Sequence, residues 1–314
     1  MKSYDAFMKP AKYLIGLLVT HPNKPEWGPG KVLAMSGSLV TVYFRDAPEV
    51  KAGDAIKRID TQHMPLQAAS LQSDPWLDAI PPLIDGRRDT TEPRLSPDAA
   101  VARFLNRFPG GFADLEYLHK ERNYKRAAHE EYVKRLGDGR GAALLAAGSI
   151  DEVRSHLLHV EGRVNLLSHF EKFAFAHAIK DPAAVVSYSS ALFRVLAAPD
   201  RDEAAFGELI RAVTDLPAEE GRAGVAKWPV LTLFPFLAQP SRFMFLKPEV
   251  TQTASDRLRF NLNYSAKINL LTYSRLLALA DVLMDMLRPH GARDYIDVQS
   301  FIWVTGDKYE SVTG

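Results

Sequence analysis

The sequence contains no cysteine among its 314 residues. This absence excludes disulfides, cysteine-ligated zinc, iron–sulfur clusters and thiol nucleophiles. Net charge is also small, because 39 basic side chains face 38 acidic ones for a formal charge of +1. That balance argues against a surface coated in positive charge for duplex DNA, although it is compatible with a local basic patch. No apolar run approaches the ~20 residues of a membrane-spanning helix, so we expect a cytoplasmic protein without a membrane partner.

The first part of the chain has the pattern of short β-strands. Four β-type runs are separated by turn residues: Leu17–Thr20, Lys31–Met35, Leu39–Phe44 and Ala55–Ile59. Between the second and third runs stands Ser36-Gly37-Ser38, which is typical of a tight hairpin. Because an isolated hairpin buries too little surface to fold alone, these runs predict a small β-barrel over residues 1–62.

The pattern changes twice after residue 62. Residues 63–97 are rich in proline and predict a linker or strap, part of which is apolar enough to lie against a domain. From Ser96-Pro97-Asp98 onward the apolar spacing is helical, and the clearest amphipathic helix is predicted over Leu270–Leu287. We predict a larger, mostly helical domain over 98–314, with an aromatic and proline-rich insert of irregular segments or short strands at about 227–248. The predicted fold class is therefore α+β.

The most specific motif is His21-Pro22-Asn23-Lys24-Pro25-Glu26-Trp27-Gly28-Pro29-Gly30-Lys31-Val32. With the hairpin that follows it, this motif resembles a small bacterial family of unknown function with the signature His-Pro-x-x-Pro-Glu-Trp-Gly-x-Gly-x-Val. It is also similar to the Tudor or SH3-like domain at the C-terminus of UvrD-type DNA helicases. The resemblance implies a barrel that binds nucleic acid or RNA polymerase and leaves catalysis to other proteins. A helicase motor is not expected, because the chain lacks the Gly-x-x-x-x-Gly-Lys-Ser/Thr phosphate loop.

Basic and aromatic side chains of this module form the predicted nucleic-acid surface. Residues 1–62 hold nine Lys and Arg against six Asp and Glu, a local charge of +3 that favours modest attraction to phosphates. The alternative is a solvated, slightly basic face, with Trp27 serving only to cover one end of the barrel. Tyr43 and Phe44 point to opposite faces of one strand, so one is expected in the core while the other can stack on a base. The predicted contacts in this module are Lys24, Trp27, Lys31, Tyr43, Arg45, Lys57 and Arg58.

A second basic stretch lies in the helical region, where tyrosines are interleaved with cations. Arg122, Lys125 and Arg126 lie on neighbouring faces of a helix, and we predict that they contact phosphate. The alternative is a solvated charged face, because nearby glutamates have the helical spacing that pairs with these cations.

Few residues suggest catalysis. His156 and His159 share a helix face and can hold zinc if a third ligand joins them, with Glu161, Glu171 or His169 as the choices. The favoured reading is that they are ordinary helix-surface or partly buried histidines. His177 extends the same cluster, and Asp294 and Asp297 with Glu310 are compatible with a nuclease-like site, but no lysine completes it. We therefore predict no catalytic residue, metal or cofactor.

These observations predict a non-catalytic cytoplasmic protein of bacterial origin. Its predicted partner is nucleic acid, DNA rather than RNA, or a protein of a nucleic-acid machine in DNA repair or antiviral defence against phage. Two alternatives stay open. One is a protein-interaction adaptor for RNA polymerase or a defence complex, and the other is a metal-dependent enzyme in the helical domain.

Overall fold

The computed structural model describes residues 13–48, 55–71, 73–78, 80, 95–221, 224–306 and 309. The chain divides into two compact units, Met1–Ser96 with Ser255–Asn261 and Pro97–Ala254 with Leu262–Gly314. The first unit contains an antiparallel sheet and the second is mostly helical. This arrangement confirms the predicted α+β class.

In the described part of the first unit, five antiparallel strands form one sheet in the order β4-β3-β2-β1-β5. The strands are β1 (Leu18–Thr20), β2 (Pro29–Ser36), β3 (Leu39–Phe44), β4 (Ile56–Asp60) and β5 (Gln67–Ala68). The first four confirm the predicted runs within one or two residues, whereas β5 is too short to show a period of its own. The predicted hairpin is also confirmed, since Ser36 pairs with Leu39 and Gly37 adopts a φ of +61°.

Part of the proline-rich segment joins the core of this sheet. A short helix α1 (Pro75–Asp78) starts at Asp74, whose carboxylate accepts hydrogen bonds from the backbone N–H groups of Trp76 and Leu77. The Leu77 and Ile80 side chains are buried in the same apolar cluster as β1, β2 and β3. Residues 81–94, which hold most of the predicted strap, lie outside the described residues.

Helices follow from Pro97 to the C-terminal region. Their bounds are α2 (Pro97–Arg107), α3 (Leu115–Tyr117), a π-helical turn (Leu118–Arg122), α4 (Asn123–Leu136), α5 (Arg140–Ala146), α6 (Ile150–Glu161), α7 (His169–Ala178), α8 (Pro182–Ala197), α9 (Glu203–Thr214), α10 (Trp228–Ala238), α11 (Pro248–Arg257), α12 (Leu270–Leu287) and α13 (Tyr295–Val304). Three-residue 3₁₀ helices cover Pro25–Trp27, Gly111–Ala113 and Arg288–His290. None of the helices among these residues combines the length and the apolar composition needed to cross a bilayer.

The helix α12 confirms the bounds predicted for it, but the aromatic insert does not follow its prediction. Residues 228–238 form α10, and every side chain of this helix is buried. The prediction of irregular segments or strands was wrong there because a helix buried on all sides has no amphipathic period. Pro235 inside the helix also argued against it.

Candidate interaction surface on the N-terminal sheet

Trp27 is placed by a tight turn that leads into β2. It ends a 3₁₀ helix, and the next residue, Gly28, has a φ of +65°. A β-carbon on Gly28 would lie 2.0 Å from the Oδ2 atom of Asp46, and one on Gly30 would lie 2.6 Å from the Phe44 ring. Both glycines are therefore required. Gly28 is required for its positive φ and for its close approach to Asp46, and Gly30 for its close approach to Phe44. The turn brings the indole onto one end of the sheet.

The Trp27 side chain is half-buried and forms an aromatic cluster with two neighbours. The His21 and Phe44 ring centroids lie 5.0 Å and 5.3 Å from it, with His21 edge-on. The Nζ atom of Lys57, on β4, lies 5.4 Å from the indole centroid. This is cation–π geometry, in which the ammonium group contacts the electron-rich face of the ring. We call Trp27, His21, Phe44 and Lys57 the Trp27 cluster.

The protonated form of His21 is disfavoured in this cluster. Burial lowers the pKa of its imidazole, and the nearby Lys24 lowers it further. The backbone N–H of Asn23 donates to the His21 Nδ1 atom at 3.2 Å, so the ring proton resides on Nε2. Sequence reasoning quoted His21 only as part of the motif and missed it as a member of the cluster. The sequence contained a signal for this contact. His21 directly follows β1 and Trp27 closely precedes β2, so the two residues lie at the same end of the sheet when these strands pair.

Two of the predicted cations instead attach α1 to the sheet. The Lys31 Nζ atom donates to the backbone carbonyls of Ile80 and Asp78, at 2.8 Å and 3.3 Å. The Arg45 guanidinium donates to Asp74 at 2.7 Å and also to Asp46. These bonds occupy both side chains within the unit, so their main role in the structure is to hold residues 74–80 in place.

The remaining cations of this unit are more accessible. Lys24 is exposed and lies 3.5 Å from Glu26, a surface ion pair of small energetic value. Arg58 is exposed on β4, where it pairs with Thr41 of β3, and it forms no ion pair with any described residue. Lys57 and Arg58 are neighbours on one strand, so their side chains leave opposite faces of the sheet.

The expectation that one ring of the Tyr43–Phe44 pair is free for stacking was wrong. Tyr43 is 2% exposed and Phe44 is fully buried. Phe44 packs against Trp27, and Tyr43 pairs in register with Lys31, on the face where Lys31 reaches Ile80. Both faces of β3 are therefore covered, and Tyr43 belongs to the core.

The prediction that Arg122 and Lys125 contact phosphate is likewise corrected. Both side chains are buried in the helical unit and bind carboxylates there. Arg122 donates to Asp294 at 2.7 Å and contacts Asp297 at 2.7 Å. Lys125 donates to the Ser300 hydroxyl at 2.8 Å and lies 3.4 Å from Glu121, while burial lowers its pKa to about 8.

These two cations belong to a charge network that sequence reasoning missed. The carboxylate of Asp297, fully buried on α13, accepts from the Tyr117 hydroxyl at 2.5 Å and from the Arg293 backbone N–H at 2.8 Å. Three acids, Glu121, Asp294 and Asp297, face three cations, Arg122, Lys125 and Arg293. Such a balanced network is typical of a structural core rather than a ligand site. A signal was present in the sequence, where Asp297 is the only charged residue between Tyr295 and Val304.

Arg126 alone of the predicted helical cations is exposed, and it forms an ion pair with Glu130 at 2.9 Å. Arg122 and Lys125 are buried, so Arg126 shares no exposed surface with them. The predicted helical contacts therefore do not form one surface.

The four histidines that suggested zinc are not brought together as ligands. His159 lies 3.0 Å from Glu131, and His156 lies 3.5 Å from Glu152. His169 is exposed, and His177 stacks on Phe173. Over the described ranges of the chain, no group of three or more His, Asp or Glu side chains has the arrangement of a metal site. Glu310, the third acid of the nuclease-like hypothesis, lies outside the described residues.

Comparison with known proteins identifies only the N-terminal segment. The model of a family described as "Protein of unknown function (DUF3553)" matches residues 15–56, which run from just before β1 to the start of β4. No curated protein and no solved structure matches the chain. The match confirms the predicted resemblance to a family of unknown function, and it includes Trp27, both turn glycines and the whole β2–β3 hairpin. Residues 15–56 thus carry a domain of unknown function similar to that family.

Proposed function

We propose that the chain is a non-catalytic binding protein whose N-terminal sheet engages a protein of a nucleic-acid-processing machine. The Trp27 cluster carries this proposal, since it puts a half-exposed indole and a lysine at one end of the sheet. Large aromatic side chains next to a cation are typical anchors at protein interfaces. The exposed Arg58 follows Lys57 on β4 and adds a positive charge on the opposite face of that strand.

We further propose that the sheet is a small SH3- or Tudor-like barrel. The strands β4 and β5 lie at opposite edges of the sheet, yet only residues 61–66 connect them. The N–H groups of His63 and Met64 both donate to the Asp60 carbonyl, so the first part of this connection is a turn. The turn over residues 60–64 and three extended residues up to Gln67 together span at most ~17 Å. In a flat five-stranded sheet, the two edge strands are ~19 Å apart. A curled sheet removes this difference, which supports the barrel.

Charge favours a protein partner over nucleic acid. From residue 1 to residue 80, the sequence holds nine Lys and Arg against eight Asp and Glu, a net charge of +1. Affinity for nucleic acid depends mainly on an excess of cations that neutralise phosphates. The acids among the described residues are Glu26, Asp46, Asp60, Asp74 and Asp78, against Lys24, Lys31, Arg45, Lys57 and Arg58. A nearly neutral segment with one aromatic anchor suits a protein better.

Nucleic acid is the second candidate, and the Trp27–Lys57 pair favours it. An indole can stack on an unpaired base while an adjacent ammonium group contacts the phosphate backbone. This geometry fits a single strand better than a duplex, whose bases are already stacked. We therefore expect any nucleic-acid binding at this site to prefer single strands.

The two candidates are separated by measuring both affinities with one set of variants. Biolayer interferometry with the full chain uses purified bacterial RNA polymerase as one ligand and a 20-nucleotide single strand as the other. The double variant Lys57→Glu with Arg58→Glu is compared with Lys134→Glu with Lys180→Glu, which changes two exposed lysines of the helical unit. We expect the first double variant to weaken polymerase binding about tenfold or more and the second to leave it unchanged.

Oligonucleotide binding with a steep salt dependence that the Lys57 and Arg58 changes abolish would instead establish the second candidate. Wild-type affinity for both ligands that neither double variant alters would place the binding surface elsewhere and refute the proposal. The absence of binding to both ligands would refute it as well.

A further inference from the structure

A cavity of about 350 Å³ lies in the helical unit, and no member of the buried charge network lines it. Apolar and aromatic side chains form most of its wall. Among them are Tyr132, Leu136, Ala142, Phe193, Ala197 and Ala238. This volume is within the range of natural small-molecule sites. The proposed interaction of the N-terminal sheet does not use it.

Three helices end at this cavity. The last residues of α4, α8 and α10 are Leu136, Ala197 and Ala238, and each lines it. The carboxyl end of a helix carries a partial negative charge, because its final carbonyl groups have no partner within the helix. Three such ends around one space produce a field that favours a positive group.

At each of the three helix ends, a side chain of the protein lies within hydrogen-bonding distance of a backbone carbonyl oxygen. The Val133 carbonyl of α4 accepts from Arg140, and the Leu196 carbonyl of α8 accepts from the Gln239 amide at 2.9 Å. The Leu237 carbonyl of α10 lies 2.7 Å from the His129 Nδ1 atom. One donor at each end shows that all three ends attract hydrogen-bond donors.

The wall of the cavity suits an organic cation. Phe193 and Tyr132 provide ring faces, which attract ammonium and guanidinium groups. The Tyr132 hydroxyl itself is buried without a hydrogen-bond partner in the described part of the chain, so the ring and not the hydroxyl is what Tyr132 contributes to the wall. Burial raises the pKa of this hydroxyl, which therefore stays neutral. Asp138 at the rim is exposed and adds a negative charge that Arg140 offsets at 3.3 Å.

We propose that this cavity binds a small organic cation, with an ammonium or guanidinium group on an aromatic or branched apolar body. The positive group faces the three helix ends, and the apolar body packs against Leu136, Phe193 and Ala238. The ligand is of the size of a protonated aralkylamine, with ~10 heavy atoms for this volume. The site is independent of the N-terminal sheet, so its failure would leave the proposed function intact.

Three probes of similar shape test the charge preference directly. Isothermal titration calorimetry with the full chain compares 2-phenylethylammonium, the neutral 2-phenylethanol and the anionic 3-phenylpropionate. We expect saturable binding of the cation, about tenfold weaker binding of the neutral probe, and no detectable binding of the anion. Equal affinity for all three, a preference for the anion, or no saturable binding of any probe would overturn the proposal.

Two alanines of α5 provide a matched pair of variants. Ala142 is exposed and lines the cavity, so Ala142→Phe fills it without repacking the core. Its neighbour Ala143 is also exposed but does not line the cavity, and Ala143→Phe is the control for the helix itself. We expect Ala142→Phe to abolish binding of 2-phenylethylammonium while Ala143→Phe retains it. Tyr132→Phe, which removes only the buried hydroxyl and keeps the ring, is expected to retain binding. Undiminished binding by folded Ala142→Phe protein would place the cation elsewhere.

Discussion

Replacing Asp297 by alanine tests the buried charge network most severely. The carboxylate is fully buried and serves the Tyr117 hydroxyl, the Arg122 guanidinium and the Arg293 backbone N–H at 2.5–2.8 Å. Its removal leaves Arg122 with Asp294 as its remaining acid and leaves the Tyr117 hydroxyl without its acceptor. Breaking one partner of a buried pair costs about 3–5 kcal/mol, and an unsatisfied hydroxyl costs about 1–3 kcal/mol.

We expect Asp297→Ala to lower the free energy of unfolding by about 3–5 kcal/mol, since Asp294 retains part of the Arg122 interaction. This is a large fraction of the ~5–15 kcal/mol that stabilises a typical domain. Urea denaturation followed by circular dichroism at 222 nm reports the helical unit. Asp285→Ala is the matched control, because this aspartate of α12 is 76% exposed and lies 3.5 Å from Arg288. The control is expected to lose less than about 1 kcal/mol.

The result would refute the reasoning if Asp297→Ala lost no more stability than Asp285→Ala. A loss of the expected size with Asp297→Asn nearly as stable as the wild type would mean that the hydrogen bonds matter and the charge does not. Native-state hydrogen exchange of the Tyr117 and Arg122 backbone amides locates the effect. These amides are expected to lose protection in Asp297→Ala and to keep it in Asp285→Ala.

Three further predictions concern single sites. Gly30→Ala should destabilise the N-terminal sheet by about 1–3 kcal/mol in urea denaturation, because the new β-carbon would lie 2.6 Å from Phe44. The control is Gly207→Ala, whose β-carbon would have no neighbour nearer than 3.7 Å, and it should be neutral or stabilising. Burial lowers the pKa of His21, so the unfolded chain takes up a proton at a higher pH than the folded chain does, starting near pH ~6.5. The sheet should therefore lose stability between pH 7 and 5, and His21→Gln should remove that loss in denaturation measured across this range. Burial also lowers the pKa of Lys125 to about 8, so between pH 8 and ~10.5 the unfolded chain holds a proton that the folded chain has lost. The stability of the wild type should therefore rise with pH in this window relative to that of Lys125→Met. Parallel stability–pH profiles of the two proteins would contradict this assignment.

The sequence predicted those elements whose patterns are local. Ser36-Gly37-Ser38 between two β-branched runs was enough for the β2–β3 hairpin, and the amphipathic stripe of α12 was enough for its bounds. The helices α10 and α13 lack such a stripe because they are buried all round, so periodicity gave no signal.

The candidate site was predictable only in part. Trp27 and its glycines were found because their roles are set by a tight turn. The burial of Arg122 and Lys125 was not predictable, because their partners Asp294, Asp297 and Ser300 lie about 170 residues away in sequence. A basic stretch in a sequence does not distinguish cations that face solvent from cations that neutralise distant acids.

Site-specific photocrosslinking tests most directly whether the N-terminal sheet is the interaction surface. The photoreactive residue p-benzoylphenylalanine is placed at Arg58, which is exposed on β4 and follows Lys57 in the sequence, and separately at Lys180, which is exposed in the helical unit. Each full-length protein is irradiated with purified bacterial RNA polymerase. The account predicts a crosslink from position 58 that excess unlabelled wild-type chain competes away and none from position 180. Crosslinking from position 180 alone, or from neither position, would contradict it.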